Sequence, residues 1–372
     1  MRLNLASSKE VSQSDIVTNA GSLSSEDIDQ IIEHYKLKSA DGNTLSKAKK
    51  FNLLVQTHLG PVEDETSVAY LKGESCANIY LDWKAIQETT RRKLPFGIAQ
   101  IGKAFRNEIT VKQFMFRTRE FEQMDVEFFV KPGTEDKFYA DWKQNRWEFY
   151  TEALKFNQTN LQYRQHDKDE LVFYAKEAWD IEYNFGEIGF KELEGIHNRT
   201  DYDTVQHSKF SGQDLTYFDA ETNTRYNPYI VEMSAGFNRM YLAVMFEFYK
   251  EEIFITEKSE DETRIVFKLP YTLAPFKLAV LPLMKKDGLG EFAFELYSKL
   301  RKQGISADYD EAGSIGKRYR RQDENGTPWC LCIDYETIKA GELQNTVTLR
   351  HRDTMEQTRV AITELENFIK NF

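Results

Sequence analysis

The stretch from Ala104 to Val130, AFRNEITVKQFMFRTREFEQMDVEFFV, sets four arginines or lysines and five acids among large apolar residues with no glycine or proline to break it. Alternation of polar and apolar residues along EFEQMDVEFFV is the period of a strand. Read at period two, Arg117, Arg119, Phe121, Gln123, Asp125 and Glu127 share one face, and Arg106 and Glu108 share a face of the strand before it. If KQFM is the connecting loop, no room remains for the crossover helix that parallel neighbours need. The chain is therefore expected to build an antiparallel sheet flanked by helices. Guanidinium groups, an aromatic ring and a carboxylate on one face are equipment for holding a nucleotide triphosphate. The same residues also suit a solvated sheet face laced with cross-strand ion pairs.

A chain of 372 residues has room for two or three domains, and 41% hydrophobic residues mark it as globular. Its net charge of −11 argues against a general nucleic-acid coat, so any polyanion must meet a local basic cluster. Cys76, Cys330 and Cys332 are too few and too uneven for a disulfide framework, and a reducing cytoplasm is the expectation. No apolar run approaches the length of a membrane span, and the first residues lack a signal-peptide core.

Along the chain, a loose polar lead-in precedes a helix in SSEDIDQIIEHYKL, where Ser24 or Ser25 can cap the first turn. AYL and NIYLDW read as short strands, and DKFYADWKQNRWEFYTEALKF as an amphipathic helix. YIVEMSAGFNRMYLAVMFEFYKEE reads as a strand, a turn at Ala235-Gly236 and an apolar helix. Residues 255–272 shift from charged to proline-bearing, which suggests a linker. Beyond it come KLAVLPL (strand), EFAFELYSKLRKQG (helix), SADYDE (strand), a Gly- and Arg-rich segment, WCLCIDY and TVTLRHR (strands), and a closing helix in MEQTRVAITELENFI. Strands alternating with helices suggest a small α/β unit there.

FRNEIT followed by FRTREFEQ resembles motif 2 of the class II aminoacyl-tRNA synthetases in their glycyl form, and PFGIAQIGKAFRNEI extends the match. GFKELEGIHNRTDYD resembles the family's segment between motifs 2 and 3, and VEMSAGFNRMYLAV resembles motif 3. APFKLAVLPL, GSIGKRYRRQDENGTP and TVTLRHRDTMEQTRV resemble its C-terminal anticodon-binding domain. The resemblance implies an α+β fold and a glycine–tRNA ligase that forms glycyl-adenylate from glycine and ATP with Mg²⁺ and passes the glycyl group to tRNA(Gly). It further implies that Arg106 holds the α-phosphate and the amino-acid carboxylate, and that Glu108 and Arg117 lie around the adenosine and phosphates. Phe121 would stack on adenine, Arg239 would hold the γ-phosphate, and Glu192 would bind nucleotide and metal. Glu74, Asp125, Glu232 and Ser234 would surround the glycine ammonium. Lys317, Arg318, Tyr319, Arg320 and Arg321 would meet tRNA at its anticodon through phosphate contacts and a stacking ring.

Where the family usually reads YLRPETAQGIF, residues 70–80 read YLKGESCANIY: the acid persists as Glu74 and a hydroxyl as Ser75, while Lys72, Gly73 and Ala77 differ. Asp125 is one methylene shorter than the usual Glu, and Met233 and Asn238 also depart from common choices. Motif 1, the family's dimer element, has no counterpart in the N-terminal residues. The expected division is a remnant without motif 1 over 1–60, a catalytic core over 61–262 and an anticodon-binding domain over 263–372. A homodimer or a separately encoded N-terminal piece are the partner arrangements this suggests. The second reading, from another class, is a non-catalytic synthetase-like paralogue that binds nucleic acid or serves as an accessory subunit.

Overall fold

The computed structural model describes residues 23–111, 114–168, 170–172, 174–255, 261–365 and 368. The chain divides into two units, Met1–Gly73 with Phe105–Val111, and Glu74–Ala104 with Lys112–Phe372. In the first unit, helix α1 (Ser25–His34) begins at a reciprocal cap. Ser24 Oγ accepts from Asp27 N at 3.1 Å and Asp27 Oδ2 accepts from Ser24 N at 2.9 Å. Strands β1 (Gln56–His58) and β2 (Val68–Tyr70) pair antiparallel. Phe105 N donates to Lys72 O at 2.8 Å and Asn107 N to Leu53 O at 2.7 Å, which ties residues 105–107 to this unit. A Cβ on Gly73 would meet Leu54 Cδ2 at 3.0 Å, so a larger residue there would require the Leu54 side chain to shift. The lead-in before residue 23 lies outside the described residues.

The second unit opens with α2 (Cys76–Thr90) and β3 (Phe96–Phe105), followed by β4 (Glu120–Val130) and α3 (Glu135–Glu148). Next come β5 (Leu161–Gln165), β6 (Glu177–Asn184), β7 (Phe190–Thr200), α4 (Tyr202–Ser211), β8 (Tyr217–Asp219) and β9 (Thr224–Tyr226). After β10 (Tyr229–Gly236), helix α5 (Phe237–Phe248) starts at the glycine turn expected from the sequence. A six-stranded sheet has the order β3-β4-β10-β7-β6-β5. The pairs β4–β10, β10–β7, β7–β6 and β6–β5 are antiparallel. Lys103 pairs with Glu120 while a Cβ on Gly97 would meet Phe128, so β3 runs antiparallel to β4 as well. The expected antiparallel sheet is thus the sheet observed.

Period two decides what each face does. On one face Phe129 and Ile230 pack on Ile79, Tyr80 and Trp83 of α2. On the other, Met124, Val126, Val231, Met233 and Ala235 join Met240 and Ala243 of α5 and Phe138 and Trp142 of α3 in the main core. The acids at 125, 127 and 232 share the α2 face with apolar Phe129 and Ile230, and they are buried there.

Several sequence expectations change. NIYLDW is helical, because Cys76, Ile79, Tyr80 and Trp83 form a buried stripe at three- and four-residue spacing that a six-residue window could not show. Arg106, Glu108, Arg117 and Arg119 lie in the connection between β3 and β4 instead of on strands, since the chain leaves β3 at Phe105 to bond Leu53. That connection includes a 3₁₀ turn at Phe114–Phe116, and Lys112 and Gln113 lie outside the described residues. The expected linker is a hairpin of β11 (Tyr249–Ile255) and β12 (Asp261–Phe267), whose period-two face buries Arg264 together with Val266.

Beyond the hairpin, β13 (Leu278–Pro282), α6 (Leu289–Lys302), β14 (Ala307–Tyr309), α7 (Ile315–Asn325), β15 (Trp329–Ile333), α8 (Tyr335–Ile338), β16 (Thr346–His351) and β17 (Gln357–Ala361) form an α/β layer. The sheet order is β14-β13-β15-β16-β17, with β13 parallel to β14 and β15. The Gly- and Arg-rich segment is helix α7, and the first half of the expected closing helix is β17, where Thr358 and Val360 suit pairing on β16.

Candidate functional site

Ser234 stands opposite Asp125 and Gly195, and Glu232 stands opposite Glu127 and His197. Three adjacent strands therefore bring carboxylates, a hydroxyl and an imidazole to one buried layer. Asp125 accepts at both oxygens, from Ser234 Oγ at 2.6 Å and from Ser75 Oγ, while Ser75 N donates to Gln123 Oε1 at 3.1 Å. Burial raises the Asp125 carboxyl above its usual range, and the two serine bonds oppose that rise. Glu74 follows closely: Cys76 Sγ lies 3.5 Å from Glu74 Oε2.

The cation of the layer is Arg199. A register shift between Ile230 and Val231 accommodates it on β7. From there Nη1 reaches both Glu232 oxygens at 2.9 and 3.0 Å, and Nε and Nη2 reach Asp203 at 2.8 and 3.0 Å. Such a fork holds two carboxylates in fixed orientation. His197 Nδ1 lies 2.8 Å from Glu232 Oε2, and a Cβ on Gly195 would meet His197 Cε1 at 2.7 Å, so the ring needs that glycine beneath it. Burial resists ionisation of Glu232, yet Arg199 and His197 bring its carboxyl down to about 2. Tyr174 and Tyr80 line the guanidinium at 4.2 and 5.4 Å from their ring centres. Acids outnumber cations in this layer, which gives it a potential suited to a small cation such as an ammonium group.

A second cluster joins α5 to β7. Arg239 Nη1 donates to Glu192 Oε2 and to Glu192 O, both at 3.1 Å, and Nη2 donates to Phe116 O at 3.2 Å. Asn238 Oδ1 accepts from Glu122 N at 2.9 Å, fastening the start of α5 to β4. Glu192 is exposed, Arg117 is exposed, and Phe121 is half-buried on β4. In the first unit, Arg106 Nε donates to Gly73 O at 3.2 Å and Glu108 N to Arg106 O at 2.8 Å.

The structure thus brings Asp125, Glu232 and Ser234 into one layer, sets Glu74 beside Cys76 of the helix covering it, and joins Glu192 to Arg239. Sequence reasoning gave no role to Arg199, Asp203 or His197, and named Ser75 and Glu127 only as a retained hydroxyl and as part of a strand face. The signal for the first pair was present in NRTDYD, where an arginine precedes an aspartate by four residues and an acid-rich layer demands a counter-cation.

In the C-terminal layer, α7 distributes its cations unevenly. Lys317 and Arg320 are exposed, Arg320 pairing with Glu262, and Arg321 Nε bonds Asp310 Oδ2 at 2.8 Å. Arg318 is buried and donates to the carbonyls of Pro282, Leu283 and Asp310. The Tyr319 ring packs against the Arg350 guanidinium at 4.7 Å and against Leu281 and Cys330. Arg318 and Tyr319 thus turn inward, because helical spacing points them at the sheet while their neighbours face water.

Cys76, Cys330 and Cys332 are free and buried. No helix among the described residues is long and apolar enough to cross a membrane.

Comparison with known families gives two matches: the tRNA synthetase class II core domain (G, H, P, S and T) over residues 61–249, and the anticodon binding domain over residues 277–372. The chain is 51% identical over 330 residues to the glycine–tRNA ligase of Treponema denticola, covering 88% of this chain and 72% of that protein. It is 47% identical over 326 residues to that of Thermobifida fusca, covering 87% of this chain and 69% of the relative. For Clostridium beijerinckii the figures are 49% over 322 residues, 87% and 67%.

Proposed function

The chain belongs to the glycine–tRNA ligase family, and from that membership and the acid-lined layer we infer that it activates glycine with ATP and esterifies tRNA(Gly) with the product. The observation that carries this reading is the Arg199 fork, which holds Glu232 ionised in a buried layer beside Asp125 and Ser234. Glycine offers no side chain to grip, so recognition falls on its ammonium charge and on exclusion of a β-carbon. Glu232, Asp125 and Glu74 supply the negative potential, and Ser234 a hydroxyl. With the ammonium held there, the glycine carboxylate is the group left to attack the α-phosphorus of ATP. Arg106 balances the charge that develops in that step, Phe121 stacks on the adenine, Glu108 and Arg117 hold the adenosine and phosphates, and Arg239 meets the γ-phosphate.

Mg²⁺ fits Glu192, an exposed carboxylate and thus a hard oxygen donor, and there it would neutralise phosphate charge. The carbonyl and carboxylate contacts of Arg239 to Glu192 already set that acid beside a phosphate-binding cation. The division of labour follows the boundaries read from the sequence, activation in 61–262 and tRNA contact in 263–372, with Lys317 and Arg320 as the phosphate-facing cations of α7. Three free buried thiols suit a reducing cytoplasm. Family membership favours this reading over a non-catalytic paralogue.

Charging of tRNA tests it. Incubation with ATP, Mg²⁺, radiolabelled glycine and tRNA(Gly) is expected to give acid-precipitable glycine. A folded chain that binds tRNA and leaves it uncharged would contradict the reading.

A further inference from the structure

Glu127 is the acid of this layer that the reaction described above leaves unused. It lies opposite Glu232 in the register of β10 on β4, its side chain is fully buried, and neither carboxylate oxygen has a hydrogen-bond partner among the described residues. Facing it are Cys76 and Tyr80 from α2, Glu232 from β10, Arg199 from β7 and Asp125 from its own strand. The ligand atoms of Cys76, Glu127 and Glu232 all lie within 4.8 Å of one another. Arg199 is the permanent cation in that set, and its guanidinium is already committed to Glu232 and Asp203. His197, on β7, sets its Nδ1 2.8 Å from Glu232 Oε2. Two carboxylates this close, in a buried layer whose one permanent cation is already paired, do not both ionise.

We propose that Glu127 is a proton-carrying positioning residue of the ammonium site: uncharged in the ligand-free protein, it releases its proton to water when the glycine ammonium settles against Glu232. This rests on the reading that glycine binds beside Glu232. The arriving ammonium adds a further positive charge to the layer, facing Glu232 and Glu127 beside the committed Arg199. Only the O–H bond of Glu127 breaks, and the proton goes to solvent. Burial, and after it the charge on Glu232, keeps the Glu127 carboxyl well above the usual carboxylate range until that cation arrives. Glu127 acts through Glu232 and Arg199 and needs no contact with the substrate. Its consequence is that the site favours a charged amine over a neutral group of the same size, because only the former lets a second acid ionise.

Linkage fixes the sign of the test. A proton held by the free protein and lost from the complex makes glycine bind more tightly as pH rises, by up to about tenfold per unit while Glu127 remains protonated in the free state. Calorimetric titration of the full chain with glycine, in two buffers of different ionisation enthalpy at one pH, counts the protons exchanged. Release of a substantial fraction of one proton by the wild type is expected. Glu127→Gln, a neutral isostere, is expected to bind glycine about tenfold more weakly with no release, to lose the pH slope of the glycine KM and to keep kcat within a few-fold.

Binding by the wild type without release would overturn the proposal, whatever the variant does. Release that persists in Glu127→Gln and disappears in His197→Gln would assign the proton to the imidazole and likewise overturn it. Absence of any glycine binding would instead sink the proposed function on which this rests.

Discussion

Arg199 and Glu127 occupy the same buried layer and carry opposite lessons. Arg199 holds two buried carboxylates at once, so its removal takes the permanent cation from Asp203 and leaves Glu232 with the His197 imidazole alone. Arg199→Ala is expected to cost about 3–5 kcal/mol of stability, the usual result of orphaning a buried charge, and chemical denaturation measures it. An unchanged midpoint would show the fork to be energetically idle. Glu127 titrates the other way. Its carboxyl is raised in the folded state, by burial first and by Glu232 second, so the folded protein keeps a proton that the unfolded chain loses above about pH 4.5. Its contribution to stability is complete below that pH and declines as pH rises toward the folded value, by up to about 1.4 kcal/mol per unit. Glu127→Gln does not titrate, so its melting temperature is expected to match the wild type near pH 4 and exceed it progressively toward pH 7. A constant difference across that range would contradict the assignment.

At the scale of elements, α7 separates charge used for folding from charge available at the surface. Arg318 donates to three carbonyl groups of the β13 end and the loop after β14, and these would be left unsatisfied without it. Arg318→Ala is expected to destabilise the C-terminal layer by about 2–4 kcal/mol. Lys317→Ala with Arg320→Ala is expected to leave the melting temperature within a degree or two while weakening tRNA binding and flattening its salt dependence. Equal effects of the two changes on stability would refute this separation. The same helix shows how far the sequence could be read. GSIGKRYRRQDENG displays its cations, but the side chain that turns inward follows from packing on β13 and β15, which no local pattern records. β4 and the β10–α5 turn were legible because alternation and a small-residue break are local signals. α2 was not, because its buried stripe spans Cys76 to Trp83, longer than the apolar window NIYLDW. Asp125, Glu232 and Ser234 could be named from motifs. For Arg199 only the Asp203 half was local, in NRTDYD, since its pairing with Glu232 depends on another strand.

For the whole molecule, the hairpin β11–β12 joins the six-stranded sheet to the α/β layer through a buried ion network. Arg264 Nη1 donates to Arg352 O at 2.9 Å and lies 3.3 Å from Asp323, which also pairs with Arg350 at 2.8 and 2.9 Å. Composition alone read this segment as a linker, because its charges look solvated until their partners from α7 and β16 are in place. Exchange of radiolabelled pyrophosphate into ATP tests the activation of glycine by this molecule without requiring tRNA. Exchange is expected to need both glycine and Mg²⁺, to ignore alanine, and to fall by about 10²–10³ in Arg106→Ala and in Arg239→Ala, each of which removes a cation from the phosphates. A folded wild-type chain showing no glycine-dependent exchange would contradict the account.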